Sequence, residues 1–121
     1  MYNYKAFVDR VVDGDTIDLT ISLGFDIYIK ERVRLFGVDT PETRTRNKSE
    51  KIAGLKAKAF VKDWIEGQEI EVTTEEKGKF GRYLAVIIIE VGGKKHNVNK
   101  TLVSNGLAKA YWGGKKVGWG E

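Results

Sequence analysis

Three short segments of this chain carry residue types suited to handling a metal and a phosphate. The first is Val12-Asp13-Gly14-Asp15-Thr16. The second runs from Arg34 through Leu35-Phe36-Gly37 to Val38-Asp39-Thr40-Pro41-Glu42. The third, Lys79-Phe80-Gly81-Arg82, sets a lone arginine at the start of an apolar run. Each has an ordinary structural reading on its own. Asp-Gly-Asp is a common turn. Asp-Thr-Pro-Glu has the composition of a helix start. An arginine at a strand edge is usually a solvated or salt-bridged charge.

Taken together, the segments supply a specific chemistry. Asp15, Asp39 and Glu42 are carboxylates that strand ends and turns can bring to one place. Two carboxylates about 4 Å apart repel by roughly 4 kcal/mol at an effective dielectric of 20. A fold keeps them close only if one is protonated or a cation lies between them. Oxygen-only ligation, without histidine or cysteine, suits a hard ion such as Ca²⁺ or Mg²⁺. Arg34 and Arg82 are forked donors whose shape matches a phosphate. Carboxylates for a metal and arginines for a phosphate are what phosphodiester hydrolysis needs. The single histidine, His96, lies outside these segments and reads as an ordinary exposed residue.

The elements that must position these groups are mostly strands. Residues 4–35 read as strands, with Ile17, Leu19 and Ile21 alternating with Thr16, Asp18 and Thr20. Ile27, Ile29, Val33 and Leu35 continue the pattern after a turn near Gly24. The polar, basic run 43–51 reads as a mobile loop. A helix follows, with Ala53, Ala57, Phe60, Val61 and Trp64 on one face and Gly67 at its end. Trp64 reads as core. A strand over Glu69–Thr74 leads through a charged turn, Glu75–Gly81, to the aliphatic run Leu84–Val91, which ends at a Gly92-Gly93 hairpin signal. A short second helix carries Val98, Leu102 and Val103 and stops at Gly106. The tail, 112–121, reads as poorly ordered.

The chain has 121 residues, 41% hydrophobic and 31% charged, which suits a single folded domain over 1–121. There is no cysteine, so no disulfide and no thiolate zinc site. The net charge of +4 and pI near 9.2 favour polyanionic partners. The N-terminus has no signal-peptide pattern and no segment is long enough to span a membrane. The expectation is a cytoplasmic protein, or a secreted one whose leader is not part of this chain. The element pattern predicts a mainly β protein with helices: a small barrel with two helices packed on it.

In content, order and spacing, Asp13-Gly14-Asp15-Thr16, Arg34 with Val38-Asp39-Thr40-Pro41-Glu42, and Gly81-Arg82 resemble the thermonuclease, or staphylococcal-nuclease-like, family. Val98-Asn99, Leu102-Val103 and Gly106-Leu107-Ala108 look like that family's late helix and following strand. The resemblance covers roughly residues 5–111 and implies an OB-type five-stranded β-barrel. It also implies roles. Asp15 and Asp39, with the carbonyl of Thr40, would bind Ca²⁺. Glu42 would orient or deprotonate the attacking water. Arg34 and Arg82 would grip the phosphate, with Lys79 and Tyr111 as further substrate contacts. The implied activity is endo- or exonucleolytic cleavage of DNA and RNA to 3′-phosphates with little sequence preference, by a monomer. The rival reading is a non-catalytic OB-type module that binds single strands. Two departures stand out. Phe80 occupies a position commonly tyrosine in the family, and the ten residues after Tyr111, four of them glycine, lead to the expectation that the family's further C-terminal helix is missing from this chain.

Overall fold

The computed structural model describes residues 2–77 and 83–110. Alternation of apolar and polar side chains marks the strands β2 (Thr16–Ser22) and β5 (Glu69–Lys77), a run of branched aliphatics marks β6 (Tyr83–Val91), and β1 (Tyr2–Asp13) and β3 (Tyr28–Leu35) complete the main set. Between β3 and β5 lie the two-residue strand β4 (Val38–Asp39) and the helix α1 (Lys48–Ile65). After β6 come β7 (Lys94–Asn97), the helix α2 (Val98–Ser104) and β8 (Lys109–Ala110).

The sheet runs in the order β3-β2-β1-β5-β6-β7, and a further pairing of β3 with β6 closes its first five strands into a barrel. That closure is parallel and matches Val33 with Tyr83, Arg34 with Leu84 and Leu35 with Ala85. The other pairings in the sheet are antiparallel. β7 continues β6 beyond the barrel, and β4 pairs with β8 in a separate ribbon. The expected mainly β class, five-stranded OB-type barrel and two packed helices are thus what the chain adopts. No helix among the described residues is long and apolar enough to cross a membrane.

The barrel interior is filled by Val8, Ile17, Leu19, Val33, Leu35, Val72 and Ile87, all essentially inaccessible to solvent. α1 adds Val61 and Ile65, and α2 adds Val98 and Leu102. The C-terminal end of α1 is tied to β1. Gly67 N–H donates to the Val8 carbonyl at 2.8 Å, Val8 N–H donates to the Gln68 carbonyl at 3.0 Å, and the Glu66 side chain accepts from Val11 N–H at 3.0 Å. This last bond satisfies a donor freed where the β1–β2 register shifts.

Some boundaries differ from expectation. The run 43–51 is not all loop: α1 begins at Lys48, and Asn47 caps it by accepting from Glu50 N–H at 3.1 Å. Asp-Thr-Pro-Glu therefore starts no helix. β5 runs three residues past Thr74. Trp64 is only partly buried at the margin of the core, where it meets Phe60 and the exposed His96 edge to face, at centroid distances of 5.7 Å and 6.1 Å. The tail 112–121 lies outside the described residues.

Two polar devices hold the frame. Buried Asn99 accepts from Ile87 N–H at 3.0 Å and donates to the carbonyls of Phe36 at 2.9 Å and Ala85 at 3.0 Å. On the barrel surface Asp18 and Arg32 stand directly opposite each other and pair through two hydrogen bonds, 2.7 Å and 3.2 Å. The hydrogen bonds from Arg32 hold the Asp18 carboxyl below the usual aspartate value; burial opposes them, and the charges of Arg32 and Arg10 add smaller downward effects.

Replacing Asn99 by leucine leaves one backbone donor and two carbonyls to find new partners in the interior. Asn99→Leu is expected to lower stability by about 2–4 kcal/mol, measured by urea unfolding. The Asp18 contribution is present above its unfolded-state value and lost as pH falls through the lowered folded-state value. Asp18→Asn should therefore be less stable than the unmutated chain at pH 7, by under about 1 kcal/mol for so exposed a pair. The difference should narrow as pH falls below the ordinary aspartate range and close once Asp18 is protonated in both states, and a gap that persisted there would contradict the assignment.

Candidate active site

The site is assembled by backbone registers. Asp13 ends β1 and Thr16 begins β2, so Gly14-Asp15 forms the turn between them. Thr16 pairs with Arg34 across β2 and β3. Leu35 N–H donates to the Asp15 carbonyl at 2.9 Å, which fixes the Asp15 backbone against the end of β3. Beyond β3 the chain turns at Phe36-Gly37. Phe36 N–H donates to the Ala85 carbonyl at 2.8 Å and its own carbonyl accepts from Asn99, so the turn is clamped to β6 and α2. β4 then brings Asp39 opposite Lys109 of β8.

These placements converge on one guanidinium. Arg34 Nη2 donates to Asp39 Oδ1 at 3.2 Å and lies 3.7 Å from Asp15 Oδ2. The same Asp15 oxygen accepts from Thr40 N–H at 3.3 Å, while its other oxygen accepts from the Thr16 hydroxyl at 3.1 Å. The side chains are largely buried: 19% of Arg34, 14% of Asp15 and 9% of Asp39 is accessible. The two carboxylates are therefore close and poorly solvated, and one guanidinium offsets only part of their combined charge.

Glu42 follows three residues after Asp39 and is exposed. The segment that carries it is held on two sides. The Thr43 hydroxyl donates to Asp13 Oδ1 at 2.6 Å. On the other side, Gly54 of α1 lies flush against the backbone of Pro41 and Glu42. Asp15, Arg34, Asp39 and the Thr40 backbone thus meet at one place, and Glu42 lies on the segment that leads away from it. Arg82, Lys79 and Tyr111, along with Phe80, fall outside the described residues. Among the described residues, no group of three or more histidine and carboxylate side chains converges; the oxygen donors here are the Asp15–Asp39 pair and nearby backbone.

Gly54, Thr43 and Asn99 hold the site in place and did not stand out in the sequence. A lone glycine inside an Ala- and Lys-rich helix is the one local signal that marks a close approach.

The staphylococcal nuclease homologue family model matches residues 32–117. The chain belongs to that family. As a staphylococcal nuclease homologue, it is 42% identical over 105 residues to a thermonuclease of Staphylococcus intermedius, covering 85% of this chain and 57% of that protein. It is 32% identical over 114 residues to a micrococcal nuclease of Shigella flexneri, covering 90% and 59%. It is 35% identical over 117 residues to the endonuclease YhcR of Bacillus subtilis, covering 90% of this chain but 9% of that larger protein. This homologue spans less than two thirds of the length of the relatives it matches most strongly.

Removing the cation from the carboxylate pair tests the electrostatics directly. Arg34→Met should lower stability in chelator by about 1–3 kcal/mol, because it leaves two poorly solvated negative charges facing each other. Adding Asp15→Asn to that variant should recover part of the loss, measured by urea unfolding. Strict additivity of the two changes would show that the charges do not interact.

Proposed function

We propose that this protein is a calcium-dependent phosphodiesterase that cleaves DNA and RNA, leaving 3′-phosphates, with little sequence preference. The observation that carries the reading is the pair of carboxylates, Asp15 and Asp39, gathered on Arg34 in a chain whose relatives are named thermonuclease, micrococcal nuclease and endonuclease. The donor set fits the ion. Two carboxylates and the Thr40 carbonyl offer only oxygen, and the single guanidinium against the acids leaves negative charge for a cation to offset. Bound there, calcium would neutralise charge on a phosphate oxygen and complete its shell with waters.

The remaining work belongs to side chains. Glu42 accepts a proton from the attacking water as the water oxygen bonds to phosphorus; the bond to the 5′-oxygen breaks, and that oxygen leaves as a hydroxyl after taking a proton from solvent. Arg34 donates to a phosphate oxygen; a guanidinium carries five N–H donors, so it can keep Asp39 and hold phosphate together. Arg82 supplies the second grip on the charge that builds in the transition state. Arg44, Arg46, Lys48 and Lys51 are all exposed on the segment after Glu42 and draw in the polyanion. Lys79 and Tyr111 add contacts to substrate.

Plasmid digestion should require Ca²⁺, collapse in chelator and gain little from Mg²⁺, which demands tighter octahedral geometry and holds its waters. Glu42→Ala, Arg34→Ala and Arg82→Ala should each lower kcat about 10²-fold or more, with circular dichroism unchanged. Asp15→Ala should instead weaken calcium binding, so that added calcium partly restores its rate. Nucleic-acid binding without cleavage by the unmutated protein would establish the binding-module alternative. Neutralising Arg44, Arg46, Lys48 and Lys51 together should raise KM more than it lowers kcat at moderate salt.

A further inference from the structure

We infer that Gly54, in the second turn of α1, is a positioning residue for Glu42: it sets how deeply the Pro41-Glu42 backbone sits, and so where the Glu42 carboxylate reaches. The inference rests on the nuclease reading above. A methyl group at position 54 would lie 2.6 Å from the Pro41 carbonyl oxygen, 2.7 Å from the Glu42 carbonyl oxygen and 2.8 Å from the Glu42 carbonyl carbon. All three are backbone atoms, so no side chain can rotate away to make room. Glycine is otherwise unfavourable inside a helix, and the surrounding turns are built from good helix formers such as Ala53, Lys56, Ala57 and Ala59. Its presence at this point matches the close approach and not the needs of the helix.

A second observation points to the same seat. One turn on, Ala57 is fully buried and faces Gly14 of the Asp-Gly-Asp turn. A methyl on Gly14 would lie 2.9 Å from Thr40 Cγ2 and 3.0 Å from the Ala57 methyl. Thr40-Pro41-Glu42 is therefore packed between the β1–β2 turn and α1 by positions that carry either no side chain or one methyl group. The Glu42 side chain itself is exposed, and the point from which it reaches toward the Asp15–Asp39–Arg34 cluster is set by this backbone. A displacement on the scale of an ångström at a reacting group is enough to cost about 10²-fold in rate.

The test compares four chains, the unmutated protein, Gly54→Ala, Glu42→Gln and the double variant, cutting a single-stranded oligonucleotide in saturating Ca²⁺. Gly54→Ala should keep its circular dichroism, lower kcat by roughly 10- to 100-fold and leave KM within about threefold, because substrate capture does not depend on Glu42. In the Glu42→Gln background the same change should produce no further loss. Gly14→Ala, whose methyl meets only side-chain atoms, is the second variant and serves if Gly54→Ala does not fold. It should lower kcat less, and again only where Glu42 is present. An equal fractional loss with and without Glu42, or an unmutated kcat in folded Gly54→Ala, would overturn the inference while leaving the nuclease reading in place. No calcium-dependent cleavage by the unmutated chain would overturn that reading and this inference with it.

Discussion

The need to keep Asp15 and Asp39 side by side governs much of this structure. Like charges in a poorly solvated place separate unless something forces them together. Here the force comes from backbone. Asp15 is fixed by the Leu35 amide, and Asp39 by a two-stranded ribbon and a turn clamped to β6. Arg34 supplies the compensating charge from the strand between them. The barrel can be viewed as the scaffold that makes this otherwise unfavourable pairing rigid, which is the condition for a charge cluster to act on a substrate without first rearranging.

Packing complements the electrostatics. Where the site needs side chains it has long, charged ones; where it needs position it has almost none. Gly14, Gly54 and Ala57 let three pieces of chain approach to van der Waals contact around Thr40-Pro41-Glu42. On the opposite side, Asn99 uses all of its amide to bind β6 to the turn before β4. Neither device touches substrate under the proposed mechanism. Each removes a way for the carboxylates to drift.

The alternating residues of β2 and β3 and the aliphatic run of β6 made the barrel readable in the sequence, because strand period and burial coincide there. The site was readable for a different reason. Asp15, Arg34 and Asp39 are expensive in such poorly solvated positions, and their joint presence has few structural explanations. What escaped was decided by contacts between distant segments. The start of α1 was misjudged because Asn47 sits in a run of polar residues in which several could cap. Trp64 fell on the apolar face of the helical wheel, yet it lies at the margin of the core, where exposed His96 meets its edge. Gly54 carries no side chain to attract notice, and its meaning depends on what lies 2.6 Å away.

The parallel seam between β3 and β6 has a consequence for how the protein comes into being. It joins Val33–Leu35 to Tyr83–Ala85, segments separated by most of the central chain, and Arg34 lies in the middle of it. Contacts of such long range are reached late, since a large loop must close before they reward the chain. Until then β3 is an open edge, a ready template for pairing with another molecule. The β2–β3 hairpin already sets Arg34 opposite Thr16 before the barrel shuts. A half-made copy therefore holds Arg34 near Asp15 but lacks the second strand that fixes it, and the cluster becomes rigid only as the fold is completed.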